Sequence, residues 1–98
     1  MTELEKAVRR IVSSKGDSAY FKQSVLKYGC SIVVEELDTP EKARVFYRKY
    51  ANDIDKLAQE YLEKTGRAPA IKITRLDDLD VAMAYWAFEE CVRRMMSA

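Results

Sequence analysis

The chain contains no histidine, so the side chain that most often moves protons near neutral pH is absent, and acid–base chemistry falls to carboxylates or thiols. The densest acidic group is Asp77, Asp78 and Asp80. Asp77 and Asp78 stand where a helix is expected to begin; carboxylates there accept free amide N–H groups and face the positive end of the helix dipole, so both read as helix-start residues. The group has neither the ligand number nor the loop spacing of a calcium site. Glu35, Glu36 and Asp38 read as a solvated approach to the next helix. Cys30 follows Gly29 without a histidine to take its proton, a task left to Lys27 or a helix terminus. Cys30 and Cys91 lie far apart in no metal-like spacing and read as two partly buried free thiols, as suits a reducing cytoplasm. Lys15-Gly16-Asp17 matches neither a Walker nor a dinucleotide fingerprint. No catalytic residue, metal ligand or cofactor is expected from these patterns.

The basic residues offer a second kind of chemistry. Arg9, Arg10 and Lys15 cluster early; Lys64, Arg67, Lys72 and Arg75 bracket one connection; Arg93 and Arg94 lie near the last residue. Arg67, Lys72 and Arg75 are the candidate phosphate-binding set, because convergence at helix ends would place cations and free amides around one anion. The competing reading is a solvated surface with arginine near negative helix ends. With 17 Lys+Arg against 16 Asp+Glu the formal net charge is +1, which gives no overall pull toward nucleic acid. Nucleic acid is therefore the second choice of partner.

The elements that position these residues read as helices. The 98 residues, 48% of them hydrophobic, suit one domain, 1–98, with a modest core. The opening Met-Thr-Glu-Leu-Glu-Lys does not read as a signal peptide, and the longest apolar run, the eight residues Val81 to Phe88, is far too short to span a bilayer. A cytoplasmic protein is expected. Thr2 and Glu5 form a capping box, with the Glu5 carboxylate expected to reach back to the cap amide, ahead of the stripe Leu4, Ala7, Val8, Ile11 and Val12; this helix ends near Ser13. Ser14 and Asp17 supply a second box for a helix through Phe21, Val25 and Tyr28. Beyond Gly29 two readings stand open: the helix continues, or Ser31 to Val34 forms a short extended piece.

Thr39-Pro40-Glu41 is the clearest helix start, and Gly66 the clearest stop. Between them Ala43, Tyr47, Tyr50, Ile54, Leu57 and Tyr61 recur at alternating intervals of four and three, widened by Phe46, Ala51, Ala58 and Leu62. Lys49 with Asp53, and Glu60 with Lys64, are spaced for ion pairs worth about 0.2–0.5 kcal/mol each. Ala70 to Ile73 is a second short β-prone piece, and Thr74 with Asp77 opens a last helix running to about Met96. That helix carries Val81, Tyr85, Phe88, Val92 and Met95 on one face, while Leu79, Ala82, Met83 and Trp86 make its first half apolar nearly all round. Such a helix either threads the middle of a bundle or presents its second face to a partner, and the second option is preferred. The candidate interface residues are Tyr47, Tyr50, Tyr61, Leu79, Met83, Tyr85, Trp86 and Phe88, because aromatics and methionine bury large areas at interfaces.

The order of elements over about Ala19 to Met96, with a central helix of some 26 residues between two short extended pieces and a final helix beginning Asp78-Leu79-Asp80-Val81-Ala82, resembles the histone fold. That resemblance implies pairing of two chains across the long helix and DNA contact through the paired loops. The leading expectation is all-α: a four-helix bundle-like single domain with a long third helix and up to two very short extended segments, with the histone-like order as the alternative. The expected role is a non-enzymatic interaction or scaffold subunit, a homodimer or part of a small complex. A small nucleic-acid-binding regulator is the alternative, and a small-molecule enzyme without histidine a distant third.

Overall fold

Thr2 begins the first helix, α1 (Glu3–Ser13), in a computed structural model that describes residues 1–16, 18–71 and 78–97. The Thr2 hydroxyl accepts the Glu5 N–H at 3.2 Å and lies 3.3 Å from the Glu5 carboxylate, to which it donates. The glutamate thus returns to the cap hydroxyl rather than to the cap amide. Leu4, Ala7, Val8 and Val12 are buried as one stripe, with Ile11 half-buried at its edge. Ser14 does not open the next helix. Its N–H bonds to the Arg10 carbonyl and its hydroxyl to the Ile11 carbonyl, so it closes α1. Asp17, the other half of the expected box, lies outside the described residues.

The second helix, α2 (Ser18–Tyr28), buries Phe21 and Val25 and stops at Gly29, whose φ of 93° and ψ of 142° suit glycine alone. The segment after it is neither a continued helix nor a strand. Cys30–Val33 makes a single helical turn, α3; Val34 is extended; Glu35–Leu37 makes a 3₁₀ turn. The turn wins because Cys30, Val34 and Leu37, at helical spacing, all enter the core. Two distant groups hold it: the Glu89 carboxylate accepts the Cys30 N–H at 3.4 Å, and the Cys30 thiol donates to the Tyr85 carbonyl at 3.6 Å. Among the described residues there is no strand to pair with an extended segment here.

The long helix α4 spans Pro40–Thr65, as its end signals predict. Thr39 accepts the Lys42 N–H at 3.3 Å, Pro40 occupies the first turn, and Gly66 closes the helix in the left-handed region, donating to the Leu62 carbonyl at 2.8 Å. Ala43, Phe46, Ile54 and Leu57 are buried, and Tyr47, Tyr50, Ala58 and Tyr61 pack against the core with part of their surface in water. At Tyr50 the backbone leaves helical angles (φ −119°, ψ 22°). The pairs expected along this helix are replaced by contacts to other elements: Asp53 accepts the Leu4 N–H at 3.1 Å, and Glu60 takes Arg94 at 3.2 Å.

Asp78 caps the last helix, α5 (Leu79–Ser97), accepting the Val81 N–H at 2.9 Å; the expected Thr74–Asp77 box falls outside the described residues. Arg44 meets Asp78 at 2.8 Å near the starts of α4 and α5, and Glu60 meets Arg94 nearer their ends. The two helices therefore run in the same direction. In contrast, α1 runs opposite to α4, with Leu4 beside Asp53 and Ile11 beside Phe46 and Tyr50. Of the second short extended piece, Ala70 and Ile71 are irregular and lie beside Ala82, Tyr85 and Trp86, while Lys72 and Ile73 are outside the described residues.

α5 threads the middle of the fold. Val81, Ala84, Phe88 and Val92 are buried on one side, and Ala82 and Trp86 are buried on the other, where the Tyr61 ring stands edge-on to the indole at 5.6 Å. Of the apolar second face that favoured a subunit interface, Ala82 and Trp86 are covered by Tyr61 of α4 and the Ala70–Ile71 stretch, whereas Met83 is half-buried and Leu79 is exposed. The architecture is all-α, with a core drawn from every helix.

Candidate functional site

An open groove lies where α1, the 3₁₀ turn and the first half of α4 meet, with a volume of about 760 Å³. Ala7 and Ile11 form its α1 wall; Val45, Phe46 and Tyr50 supply apolar surface from α4. Val45 leaves 63% of its surface in water. Spacing explains why. Val45 falls outside the core-facing band of α4, so the helix that buries Ala43 and Phe46 must hold Val45 out.

The rim is charged and unevenly so. Glu35 and Glu36 come from the 3₁₀ turn just before α4 and Glu41 from its first turn; Lys49 lies two turns farther along α4, and Arg10 comes from α1 beside Ile11. Among the described residues, Glu35, Glu36, Arg10 and Lys49 take part in no ion pair. The Lys49 ammonium instead sits 5.5 Å from the centre of the Tyr50 ring. Lys42, also on the rim, is tied back to Asp38 at 2.9 Å and to the Glu35 carbonyl at 3.1 Å, and the Asp38 hydrogen bond raises its pKa above the ordinary lysine value. The groove can hold an apolar surface of a ligand while offering carboxylates near the start of α4 and a cation, Lys49, two turns on.

The candidate interface residues are dispersed through the fold. Phe88 is fully buried and Trp86 nearly so, which makes both core residues. Tyr61 covers Trp86, Met83 and Tyr85 are half-buried on α5, and Leu79 is exposed at the start of that helix. Tyr47 is half-buried, and its hydroxyl donates to Asp55 at 3.4 Å; partial burial first, then the Asp55 charge, raises its pKa. Tyr50 alone of the set lines the groove. Of the candidate phosphate-binding residues, Arg67 is exposed just beyond the end of α4, while Lys72 and Arg75 lie outside the described residues. Sequence reasoning missed Val45, Ile11 and the Glu35–Glu36 pair as parts of one site. An apolar β-branched residue off the core band of an amphipathic helix was the available signal.

The groups with chemical potential elsewhere are engaged structurally. Cys30 and Cys91 are free and buried. Burial, assisted by Glu89, raises the Cys30 pKa well above the thiol range, and burial, assisted by Glu5, pushes Cys91 up to about 12. Both are protonated at neutral pH and so poor nucleophiles. Asp78 has the helix-start role expected of it, and its carboxyl is held below the ordinary value by the Arg44 guanidinium and the Val81 N–H. Glu90, nearly buried, accepts from Arg93 at 2.8 Å and lies 3.5 Å from Arg94. No group of three or more His, Cys, Asp or Glu side chains is placed to hold a metal among the described residues, and none of their helices is long and apolar enough to cross a membrane. No protein-family model, curated protein or solved structure matches the chain.

Proposed function

We propose that the protein is a non-catalytic interaction or scaffold subunit of a small complex that seats a partner polypeptide in the groove between α1 and α4. The observation that carries this reading is Val45, a mostly exposed valine on the edge of a concavity it shares with Ile11, Phe46 and Tyr50. Covering that surface would return roughly 25 cal/mol for each Å² of apolar area removed from water. The charged rim would fix the orientation of what covers it, since charge placement contributes more to specificity than to raw affinity.

Selection from a displayed library of random peptides tests this, with the wild-type protein and Val45→Asp as parallel targets. The expected result is a set of sequences enriched on the wild type that compete with one another and lose at least about tenfold in affinity, ~1.4 kcal/mol, on the variant. Failure to enrich any sequence, or enrichment of sequences that bind both targets alike, would remove the groove as the docking face.

A further inference from the structure

We infer that the groove takes one amphipathic helix of a partner polypeptide, cationic at the end lying over Glu35, Glu36 and Glu41 and anionic at the end lying near Arg10 and Lys49. This rests on the reading of the groove as a docking site and adds the shape, length and polarity of its occupant.

The shape follows from the walls. Both long sides of the groove are α-helices, whose backbone N–H and C=O groups are already bonded to one another along their lengths. An extended peptide laid between them would find no open sheet edge to join and would rely on water and rim side chains for its backbone hydrogen bonds. A helix satisfies its backbone internally and presents only side chains to the walls. The length follows from the lining of α4, which runs from Glu41 to Tyr50. Nine residue steps at 1.5 Å each give roughly 13 Å, or about two and a half turns. An occupant of that size places three or four apolar side chains at intervals of three and four along one face.

Charge fixes the polarity. At the acidic end Glu35 and Glu36 take part in no ion pair among the described residues: Lys42, the cation of the groove nearest them in the chain, is held by Asp38 and the Glu35 carbonyl, and Glu41 has only a long contact with Arg44 at 4.0 Å. Toward the basic end, Arg10 and Lys49 have no carboxylate within ion-pair distance among the described residues. A helix with cations and anions in the complementary order forms ion pairs at both ends, whereas the reversed order sets like charges against each other.

Two synthetic peptides of about twelve residues test the inference, long enough at about three turns to cover the roughly two and a half turns of the groove. Both carry leucines at helical spacing; one has two lysines at its first end and two glutamates at its last, and the other has those charges shifted to the middle of its polar face. Affinity is measured by fluorescence anisotropy at low and high salt, with wild-type protein and with Glu35→Lys/Glu36→Lys. The end-charged peptide is expected to bind at least tenfold more tightly than the control, to lose that advantage in high salt, and to lose it on the double variant, while circular dichroism shows helix gained on binding. Equal affinities for both peptides, or binding without gain of helix, would overturn the inference. Groove-dependent selection of uncharged or extended sequences from the random library would overturn it too, while leaving the docking site intact. A dimer seen by equilibrium sedimentation and dissociated by Val45→Asp would place a second copy in the groove and would also overturn it.

Discussion

Tyr50 stands one turn beyond Phe46 on α4, with ring centroids 5.0 Å apart and planes tilted by 57°, at the residue where the long helix departs from helical backbone angles. Phe46 in turn meets Phe88 edge-on at 6.2 Å. Core and groove therefore share one wall. Tyr50→Ala is expected to lower stability by about 1–3 kcal/mol, less than for a fully buried aromatic because part of this residue stays in water, whereas Tyr50→Phe should remain within about 0.5 kcal/mol of wild type. Urea denaturation followed by circular dichroism measures both.

The groove and the core should separate cleanly by mutation. Ile54 is wholly buried on α4, and Val45 on the same helix is mostly exposed. Ile54→Ala is expected to cost about 2–5 kcal/mol through lost contacts and a residual cavity, while Val45→Ala stays within about 0.5 kcal/mol. Comparable losses at the two positions in chemical denaturation would mean that Val45 is part of the core.

Gly29 tests how the irregular Cys30–Leu37 segment is built. Its φ of 93° lies where a side chain strains the backbone, yet an added Cβ would find its nearest neighbour beyond the adjacent residues, the Glu89 carboxylate, at 3.9 Å. Gly29→Ala should thus cost about 1–3 kcal/mol from backbone strain alone, with no change in the overall helical content by circular dichroism.

Asp78 supplies a pH test with a defined sign. Its carboxyl is held below the ordinary 3.8 by Arg44 first and then by the Val81 N–H. A depressed folded-state pKa contributes stability that is present above the unfolded value and is lost as pH falls through the folded one. Asp78→Asn keeps a cap acceptor but loses the charge. The stability difference between wild type and this variant should be largest near about pH 7 and should close as the pH drops below 3.8. Denaturant midpoints that differ equally at neutral and acid pH would show that the Arg44 pair contributes nothing.

The parts of this fold legible in the sequence are those fixed by neighbours a few residues away. Thr39, Pro40 and Gly66 set both ends of α4 through local amides and carbonyls, and Thr2 does the same for α1. Cys30 to Leu37 was not legible, because Glu89 and Tyr85, more than fifty residues on, hold it as a turn. The break at Tyr50 has no proline or glycine to announce it. The common direction of α4 and α5, which lets Tyr61 of α4 cover Trp86 of α5, depends on pairings such as Arg44–Asp78 that no periodicity encodes. For the same reason the groove was invisible as a unit: Ile11, Glu35 and Val45 lie on three elements, each reading alone as a stripe edge, a solvated acid and an exposed valine.

Amide chemical-shift mapping with a peptide selected on the wild-type protein shows directly whether the groove between α1 and α4 is where a partner docks. The largest shifts are expected on Ala7, Arg10 and Ile11 of α1 and on Glu41 to Tyr50 of α4, and they should vanish with Val45→Asp. Shifts centred instead on Arg67 at the end of α4, or on the exposed Tyr20, Tyr28 and Ile32 of α2 and α3, would contradict it.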